Sequence, residues 1–319
     1  MGGRVRLVVN PIAGAGLSTW VLPLLVRRLA RLGLSCEVVR TFTAEDAQQA
    51  ASELHGPYHA LVVLGGDGTV REVIAGLSRR DVPVGIVPLG TANVLARELG
   101  LPMRPERAAQ VIARGHVRRL DLGYAGGRPF LLMAGVGFDA EVTARVHASR
   151  RGAITILSYL PAVVGVLLRY RFPVIRVAVD GRPVDREANF VVVSNTRQYG
   201  GPLVMAVDAE PDDGWLDVCL YRITKRRAAL SLLIRLLTHR RPDRSRATFL
   251  RGRRIEVTGD GPVRYQLDGD PFGTVPVTVD IAPRAVPVIV PEPTRWDRAW
   301  QSVKSRLERP FSGARGRSR

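Results

Sequence analysis

Lysine is almost absent from this sequence of 319 residues, and the only two are Lys225 and Lys304. A Walker-type phosphate loop needs a lysine within its Gly-rich motif, and no lysine precedes residue 225. The strand lysine of protein kinases has no counterpart in the first half of the chain either. The sequence therefore excludes these two large classes of nucleotide-binding protein.

Cysteine and histidine are also scarce. The two cysteines, Cys36 and Cys219, lie far apart, which excludes a disulfide framework and a CxxC metal site and fits a reducing cytoplasm. The histidines show no metal-binding spacing, so we expect them at surface or structural positions. There are five of them: His55, His59, His116, His147 and His239.

Negative charge and aromatic side chains are in short supply. The formal net charge is +18, carried almost wholly by arginine, and aromatic residues make up 6% of the chain. Such a charge favours a polyanionic partner. Nucleic acid, an anionic membrane and phosphorylated ligands are all partners of this kind. The basic residues do not alternate with aromatic ones, as a base-stacking surface requires, so we do not expect nucleic acid.

Long apolar runs and a secretory signal are not apparent, so we expect a cytoplasmic protein. The longest uncharged run, 152–168, is short for a membrane span and favours a buried helix. A surface that touches lipid is the alternative interpretation of this run. The basic and apolar segment 228–242 allows the same two interpretations.

Residues 1–120 alternate between apolar strand patterns and helical patterns, which predicts an α/β domain with a parallel sheet covered on both faces. Ligands of such sheets bind beyond the carboxyl ends of the strands. Three loops rich in small residues fall at those ends, so we expect them to form one site. They are NPIAGAG (10–16), GGDGT (65–69) and PLGTAN (88–93).

Residues 121–290 read instead as short strands separated by turns, with helical insertions near 140–168 and 228–239. This pattern predicts a second, β-rich domain of the sandwich type. The arginine-rich tail 291–319 begins with a helical pattern and ends in a segment that we expect to be disordered.

The GGDGT loop combines three glycines with one carboxylate between a strand and a helix. Glycine allows positive φ and clears side chains from a ligand, and the helix N-terminus favours an anion, so the loop suits phosphate. Asp67 would repel phosphate unless a divalent cation lay between them. A tight turn capped by Thr69 needs no ligand, but three glycines exceed what such a turn requires. A dinucleotide site at Gly14 and Gly16 lacks the third glycine and the ribose-binding acid.

Two acidic motifs in the second half allow both a chemical and a structural interpretation. Asp268 and Asp270 in LDGD can serve as a proton acceptor with its neighbour, or can form a hairpin turn, and the residues alone do not decide. The segment AEPDDGWLDV suits either a cation-binding loop or a plain turn.

Together these motifs resemble the diacylglycerol kinase catalytic-domain family, which includes bacterial lipid kinases and the sphingosine and ceramide kinases. The resemblance runs over about residues 5–290 and includes RRLDLGY, AGVGFDAEV and the block from VVVSN to WLDVCL. It implies a nucleotide domain like that of phosphofructokinase and NAD kinase, followed by a β-rich lipid-binding domain. ATP and Mg²⁺ are the implied cofactors.

The resemblance also implies roles for single residues. It makes Asp268 the general base and Asp270 and Asp67 its catalytic partners. Arg71 stands where the family usually has Asn, and Asp270 where it usually has Glu. The positions matched to nucleotide contacts are Asn10, Thr41, Gly65, Gly66, Asp67, Gly68, Thr69, Glu72, Thr91 and Asn93. The ligands matched to a structural Mg²⁺ are the Asp213 side chain and the main-chain carbonyls of Glu210 and Trp215.

The function that the resemblance implies is transfer of the ATP γ-phosphate to a lipid hydroxyl, with diacylglycerol as the first substrate. Because such a substrate lies in a membrane, we expect the protein to be peripheral to the inner face of an anionic membrane, attracted there by its net charge of +18. Another lipid, such as a sphingoid base, or NAD is the alternative acceptor, and a nucleotide or lipid sensor without activity is the alternative class. The sequence leaves open a homodimer formed through an exposed strand edge.

Overall fold

The structure is a computed structural model that describes residues 3–148, 156–199, 203–223 and 247–293. The predicted segment 228–242 lies outside the described residues, as does the predicted tail from residue 294 onwards. Within the ranges described, no helix combines the length and the apolar character that crossing a bilayer would demand.

The first half of the chain alternates strands with helices, as the sequence predicts. Four parallel strands lie in the order β2-β1-β3-β4. The strands are β1 (Arg4–Val9), β2 (Ser35–Arg40), β3 (Ala60–Gly65) and β4 (Val84–Pro88). The helices are α1 (Leu17–Arg31), α2 (Ala44–Ser52), α3 (Asp67–Ala75), α4 (Val94–Glu98) and α5 (Pro105–Arg114), with a 3₁₀ turn at Ala13–Gly16 before α1.

The second half is mainly strands, interrupted by α6 (Phe138–Ala148) and α7 (Ile156–Arg169). The strands are β5 (Val117–Ala125), β6 (Arg128–Phe130), β7 (Met133–Gly137), β8 (Ile175–Val179), β9 (Arg182–Pro183), β10 (Phe190–Ser194), β11 (Gln198–Tyr199), β12 (Leu203–Val204), β13 (Leu216–Tyr221), β14 (Ala247–Gly252), β15 (Arg254–Gly259), β16 (Arg264–Leu267), β17 (Asp270–Thr274) and β18 (Val277–Ile289).

Two sheets face each other in this second half. A six-stranded antiparallel sheet has the order β14-β13-β10-β7-β16-β17, and β11 pairs only with β12. An apolar core lies between this sheet and the strands β5, β15, β8 and β18, and includes Phe130, Val191, Leu216 and Ile255. The predicted fold class, a parallel α/β nucleotide domain followed by a β-sandwich, is confirmed.

The long strand β18 connects the two halves. It pairs antiparallel with β15 and β5 and parallel with β4, so the sheet is continuous across the predicted boundary at residue 120. Its register shifts between Ala282 and Val286, where Arg284 has a positive φ of 51°. The buried carboxylate of Asp121 accepts hydrogen bonds from the amides of Arg284 (2.7 Å) and Gly214 (2.6 Å) and holds this irregularity in place.

The helices differ from the sequence prediction in two respects. Helix α5 lies between α4 and β5, in a stretch for which the sequence analysis names no separate helix. The insertion predicted near 140–168 contains two helices, which lie on either side of the undescribed residues 149–155. In α5, the side that faces the core consists of Ala108, Ala109 and Ile112.

Gly76 follows α3 at its closest approach to α2. A Cβ on Gly76 would lie 2.1 Å from the carbonyl oxygen of Gln48, which is backbone and cannot rotate away. We therefore expect Gly76→Ala to lower the free energy of unfolding by about 1–3 kcal/mol in urea denaturation.

Gly165, in α7, is the control for this substitution. A Cβ there would meet the flexible guanidinium end of Arg145 at 3.2 Å, so Gly165→Ala should be neutral or stabilising. Equal stability of the two variants would contradict the packing assigned to α2 and α3.

Candidate active site

The GGDGT and PLGTAN loops touch each other through their glycines. A Cβ on Gly66 would lie 3.1 Å from the Cα of Gly90, and a Cβ on Gly90 would lie 2.6 Å from the Cα of Gly66. Neither glycine has positive φ. The expectation that these glycines provide positive φ is therefore wrong, because their role is to let two strand ends approach closely.

Gly65 and Thr69 are packed in the same way. A Cβ on Gly65 would lie 2.7 Å from the Thr69 side chain. The Thr69 hydroxyl accepts a long hydrogen bond (3.5 Å) from the side-chain amide of Asn10, at the end of β1. Asn10 in turn accepts a hydrogen bond from the amide of Ile12 at 3.0 Å. The predicted loops after β1, β3 and β4 thus meet at one edge of the sheet.

Asp67 has a structural role that its sequence pattern does not reveal. Its carboxylate accepts hydrogen bonds from the amides of Val94 (2.9 Å) and Leu95 (3.1 Å), the first residues of α4. Burial raises the pKa of Asp67, although these two amides oppose the shift. The carboxylate therefore caps the neighbouring helix, whereas the sequence interpretation had placed it against a cation and phosphate.

Three other predicted nucleotide contacts differ in accessibility. Thr41 is buried, and its hydroxyl and amide both contact the carbonyl of Val9. The side chain of Asn93 is used within its own loop, since it accepts from the Gly90 amide (2.8 Å) and donates to the Gly90 carbonyl (2.7 Å). Thr91 is exposed. Of these three, only Thr91 presents an accessible side chain.

Asp268 and Gly269 form a two-residue hairpin loop between β16 and β17. Both have positive φ, 52° and 92°, which is the type I′ geometry that Asp-Gly favours. The Asp268 carboxylate folds back and accepts hydrogen bonds from the amides of Leu131 (2.8 Å), Leu132 (2.8 Å) and Met133 (3.0 Å). The hairpin interpretation of LDGD is correct for the backbone, and three amides of the neighbouring strand fix the orientation of the carboxylate.

The environment of Asp268 shifts its titration. Burial raises the pKa of Asp268 to about 6, against the opposing charge of Arg71 and the three backbone amides. The residue itself retains some accessible surface. A carboxylate with this pKa is ionised at neutral pH and can accept a proton.

Asp270 lies beside the GGDGT loop. A Cβ on Gly68 would lie 3.7 Å from its Oδ2, so the absence of a side chain on Gly68 leaves room next to this carboxylate. Oδ2 pairs with Arg71 at 2.7 Å, and Oδ1 lies 3.2 Å from Nε2 of His147. Burial opposes ionisation, but His147 and Arg71 outweigh it and lower the pKa of Asp270.

Arg71 joins α3 to this hairpin. Its side chain is buried, donates to the carbonyl of Leu267 (2.8 Å) and also pairs with Glu72 (2.7 Å). Its guanidinium lies 5.0 Å from the ring centre of Phe272. Glu72, a predicted nucleotide or metal contact, is held by Arg71 and by the Gln48 amide at 2.6 Å. Glu72 therefore supports Arg71 within the first half.

His147 was expected at a surface or structural position, yet it lies in this cluster. It is half-buried on α6, and its Nε2 is also 3.2 Å from the carbonyl oxygen of Gly269. The single histidine carries no spacing signal, because its partners are more than 100 residues away in sequence. Only the packing of α6 against the hairpin brings them together.

A chain of buried polar groups supports the hairpin from below. The Gly269 amide donates to Oε1 of Gln266 (2.7 Å), whose Nε2 donates to Asp139 (2.8 Å). The hydroxyl of Tyr199 also donates to Asp139. Burial raises the pKa of Asp139, and both donors oppose the shift. These contacts explain why acid and amide side chains occur at buried positions of the second half.

Two aspartates of the predicted metal-binding loop form ion pairs with arginines. Asp213 pairs with Arg251 and accepts from the Trp215 amide (3.0 Å), while Asp212 pairs with Arg118 (2.6 Å). In the ranges the structure describes, no three His, Cys, Asp or Glu side chains are grouped to hold a metal.

The implied Mg²⁺ site at Glu210, Asp213 and Trp215 therefore stays a prediction. Its ligand set uses one carboxylate and two main-chain carbonyls. Arg251 already supplies a positive charge to Asp213, so a cation there would have to displace the arginine.

The LDGD hairpin places two carboxylates with opposite pKa shifts near the glycines of the GGDGT loop. Asp268 has a raised pKa and Asp270 a lowered one, and Arg71 lies next to both. With these shifts Asp268 can accept a proton, while Asp270 stays negatively charged. The chemistry that suits this site is proton removal from a group held in front of bound phosphate.

Comparison with known families supports this interpretation. Residues 4–125 match the diacylglycerol kinase catalytic domain, and residues 133–290 match the YegS C-terminal NAD kinase beta sandwich-like domain. The two matches are consecutive and together cover most of the chain.

Individual relatives agree with these matches. A diacylglycerol kinase of Mycobacterium tuberculosis is 29% identical over 91% of this chain and 96% of its own length. A diacylglycerol kinase of Bacillus subtilis is 26% identical over 91% of this chain and 97% of its own.

Solved structures share the fold. A diacylglycerol kinase from Bacillus anthracis superposes with a TM-score of 0.70 at 22% identity, covering 90% of this chain and 97% of that one. Yeast NADH kinase superposes with a TM-score of 0.51 at 11% identity, covering 100% of this chain and 90% of that one. The expected resemblance and the NAD kinase-like fold are both confirmed.

Removal of the Arg71 side chain should destabilise the protein. Arg71→Met would leave Asp270 and the Leu267 carbonyl without their cationic partner, so we expect a loss of about 3 kcal/mol in the free energy of unfolding. Urea denaturation measures this loss.

Arg254→Met is the matched control. Arg254 also pairs with two carboxylates, Glu256 and Asp280, but all three side chains are about half exposed, so its loss should cost less than about 1 kcal/mol. Equal effects of the two substitutions would contradict the role assigned to Arg71.

Proposed function

Because the chain belongs to the family that joins a diacylglycerol kinase catalytic domain to a YegS-type sandwich domain, we propose that it transfers the γ-phosphate of ATP to a lipid hydroxyl. Diacylglycerol is the proposed acceptor and phosphatidic acid the proposed product. The names of the relatives in Mycobacterium and Bacillus support this choice of lipid.

The approach of the LDGD hairpin to the GGDGT loop is the observation that carries the proposal. The carboxylate of Asp270 lies next to Gly68 of the loop, and Asp268 is two residues away in the same hairpin. A phosphate held over the loop would thus lie between the glycines of one half and the carboxylates of the other. Phosphoryl transfer needs this juxtaposition of donor and proton acceptor.

The nucleotide is assigned to the edge formed by the loops after β1, β3 and β4. Asn10, Thr69 and Thr91 offer side-chain polar groups there, and the N-terminus of α3 offers backbone amides. Buried Thr41 and Asn93 support the loops without reaching the ligand. When bound with ATP, Mg²⁺ would neutralise charge on the phosphates. Asp270 is the partly exposed carboxylate beside Gly68 that would face it, and a direct bond to the cation would replace a contact of Asp270 with Arg71 or His147.

Asp268 is the proposed general base. A lipid hydroxyl has a pKa far above neutrality, so its attack on the γ-phosphate is helped by a carboxylate that accepts the proton. The three amides from residues 131–133 fix the orientation of the Asp268 carboxylate. Arg71 keeps Asp270 charged beside it and so contributes a fixed negative group at the same place.

Substitution of the base should abolish transfer without abolishing nucleotide binding. We expect Asp268→Asn to lower label transfer from γ-labelled ATP to diacylglycerol in mixed micelles by about 10²–10⁴-fold. The assay is run with and without Mg²⁺, and nucleotide binding is measured in parallel. Full activity of the variant would contradict the assignment of Asp268.

The identity of the labelled product tests the acceptor separately. Label in another lipid, or in NAD added to the same reaction, would replace diacylglycerol and keep the mechanism. ATP binding with no labelled product in the wild type would contradict the proposed kinase activity and favour a sensor.

The pH profile distinguishes the two carboxylates. The base must be deprotonated, and the pKa of Asp268 is raised to about 6, so kcat/KM should fall about tenfold per unit below that pH and level off above it. The pKa of Asp270 is lowered. If kcat/KM instead fell only at or below the ordinary pKa range of an aspartate, the base would be Asp270.

A further inference from the structure

Helix α1 presents an apolar stripe to solvent. Trp20 is 82% exposed, and Leu17 and Leu24 are also exposed, at spacings that place all three on one side of the helix. The opposite side is buried, with Leu25 and Leu29 in the core beneath β1. The stripe is therefore an outward face that the described part of the chain leaves uncovered.

The same face becomes basic toward the end of the helix. Arg27 and Arg31 continue the line of Trp20 and Leu24 at helical spacing, and both are exposed. The sequence of α1 contains no acidic residue. We call Leu17, Trp20, Leu24, Arg27 and Arg31 the α1 face.

Helix α5, which packs beside α1, extends the positive charge. Three arginines are exposed there: Arg104, which precedes the helix, and Arg107 and Arg114 within it. Glu106 is the one acidic residue of this helix. Met103, just ahead of them, is exposed as well. A surface with a tryptophan, leucines and a surplus of arginines has the composition of a face that binds anionic lipid headgroups.

The position of the α1 face matches the location of the candidate site. The chain leaves β1 at Asn10 and enters α1 through a short turn, so the apolar end of the helix lies at the sheet edge where the loops meet. We propose that the α1 face docks on an anionic membrane and brings that edge to the lipid surface. This inference rests on the proposed lipid kinase function.

The charge argues against a second copy of the chain as the occupant. A two-fold dimer through this face would bring the same arginines of both copies together, and like charges in contact disfavour association. A bilayer containing phosphatidylglycerol offers the opposite charge and an apolar interior for Trp20.

Flotation with vesicles of phosphatidylglycerol and phosphatidylcholine tests the proposal. Each arginine at an anionic surface is worth about fivefold in binding, so Arg27→Glu with Arg31→Glu should weaken binding by about 25-fold or more. Trp20→Ser with Leu24→Ser should weaken it by about tenfold or more. Since all four side chains are exposed, these variants should fold normally, which thermal melts verify.

Leu168→Ser is the matched control. Leu168 is a helical leucine of α7 that is 58% exposed, in the uncharged run for which lipid contact was the alternative interpretation. Binding that is unchanged in this variant and weakened in the α1 variants is the expected result. Binding that depends on Leu168 and not on the α1 face would overturn the proposal, as would dimers that the α1 substitutions dissociate.

Activity on dispersed dioctanoylglycerol separates this proposal from the proposed function. Transfer to this short-chain substrate should be equal in the wild type and the α1 variants, while transfer to vesicle-borne diacylglycerol should fall with binding. Vesicle binding through the α1 face in a protein that phosphorylates neither lipid would contradict the kinase proposal and leave the docking surface standing. If the α1 variants bound vesicles as well as the wild type and the enzyme were active, the docking proposal would be contradicted and the kinase proposal would stand.

Discussion

The ion pair between Arg71 and Asp270 is the contact on which the candidate site depends. Arg71 belongs to the helix that follows the GGDGT loop, and Asp270 begins the strand that follows the LDGD hairpin. Arg71 is buried while Asp270 is partly exposed, and Arg71 also donates a hydrogen bond to the carbonyl of Leu267 at the start of the hairpin. One side chain thereby joins the half that carries the GGDGT loop to the half that carries the carboxylates.

Burial alone would raise the pKa of both hairpin carboxylates, and their different partners give them different properties. Asp268 loses solvent, which raises its pKa despite three backbone donors, whereas Asp270 gains His147 and Arg71, which lower its pKa. The contrast arises from position alone, because both residues are aspartates in one turn. The same principle applies to Asp67, whose carboxylate is committed to capping α4. Three acids of similar sequence context thus occupy a proposed base, a charged partner and a helix cap.

The sequence predicts the architecture well because hydrophobic periodicity and Gly-rich loops are local signals. The four parallel strands, the change to β structure and the meeting of the three loops follow from it. The uses of Asp67 and His147 do not, because each depends on a neighbour that only folding brings close. The glycines illustrate the same limit. Position 66 needs a glycine because the backbone of Gly90 lies close to it, and not because of its φ angle.

The central claim is that phosphate transfer takes place between the GGDGT loop and the LDGD hairpin. A crystal structure with Mg²⁺ and a non-hydrolysable ATP analogue tests it most directly. We expect the γ-phosphate to contact the backbone amides after Gly66 and to lie on the side of the loop that faces Asp268 and Asp270. A γ-phosphate bound away from the hairpin, with the pair of Arg71 and Asp270 intact, would contradict this account.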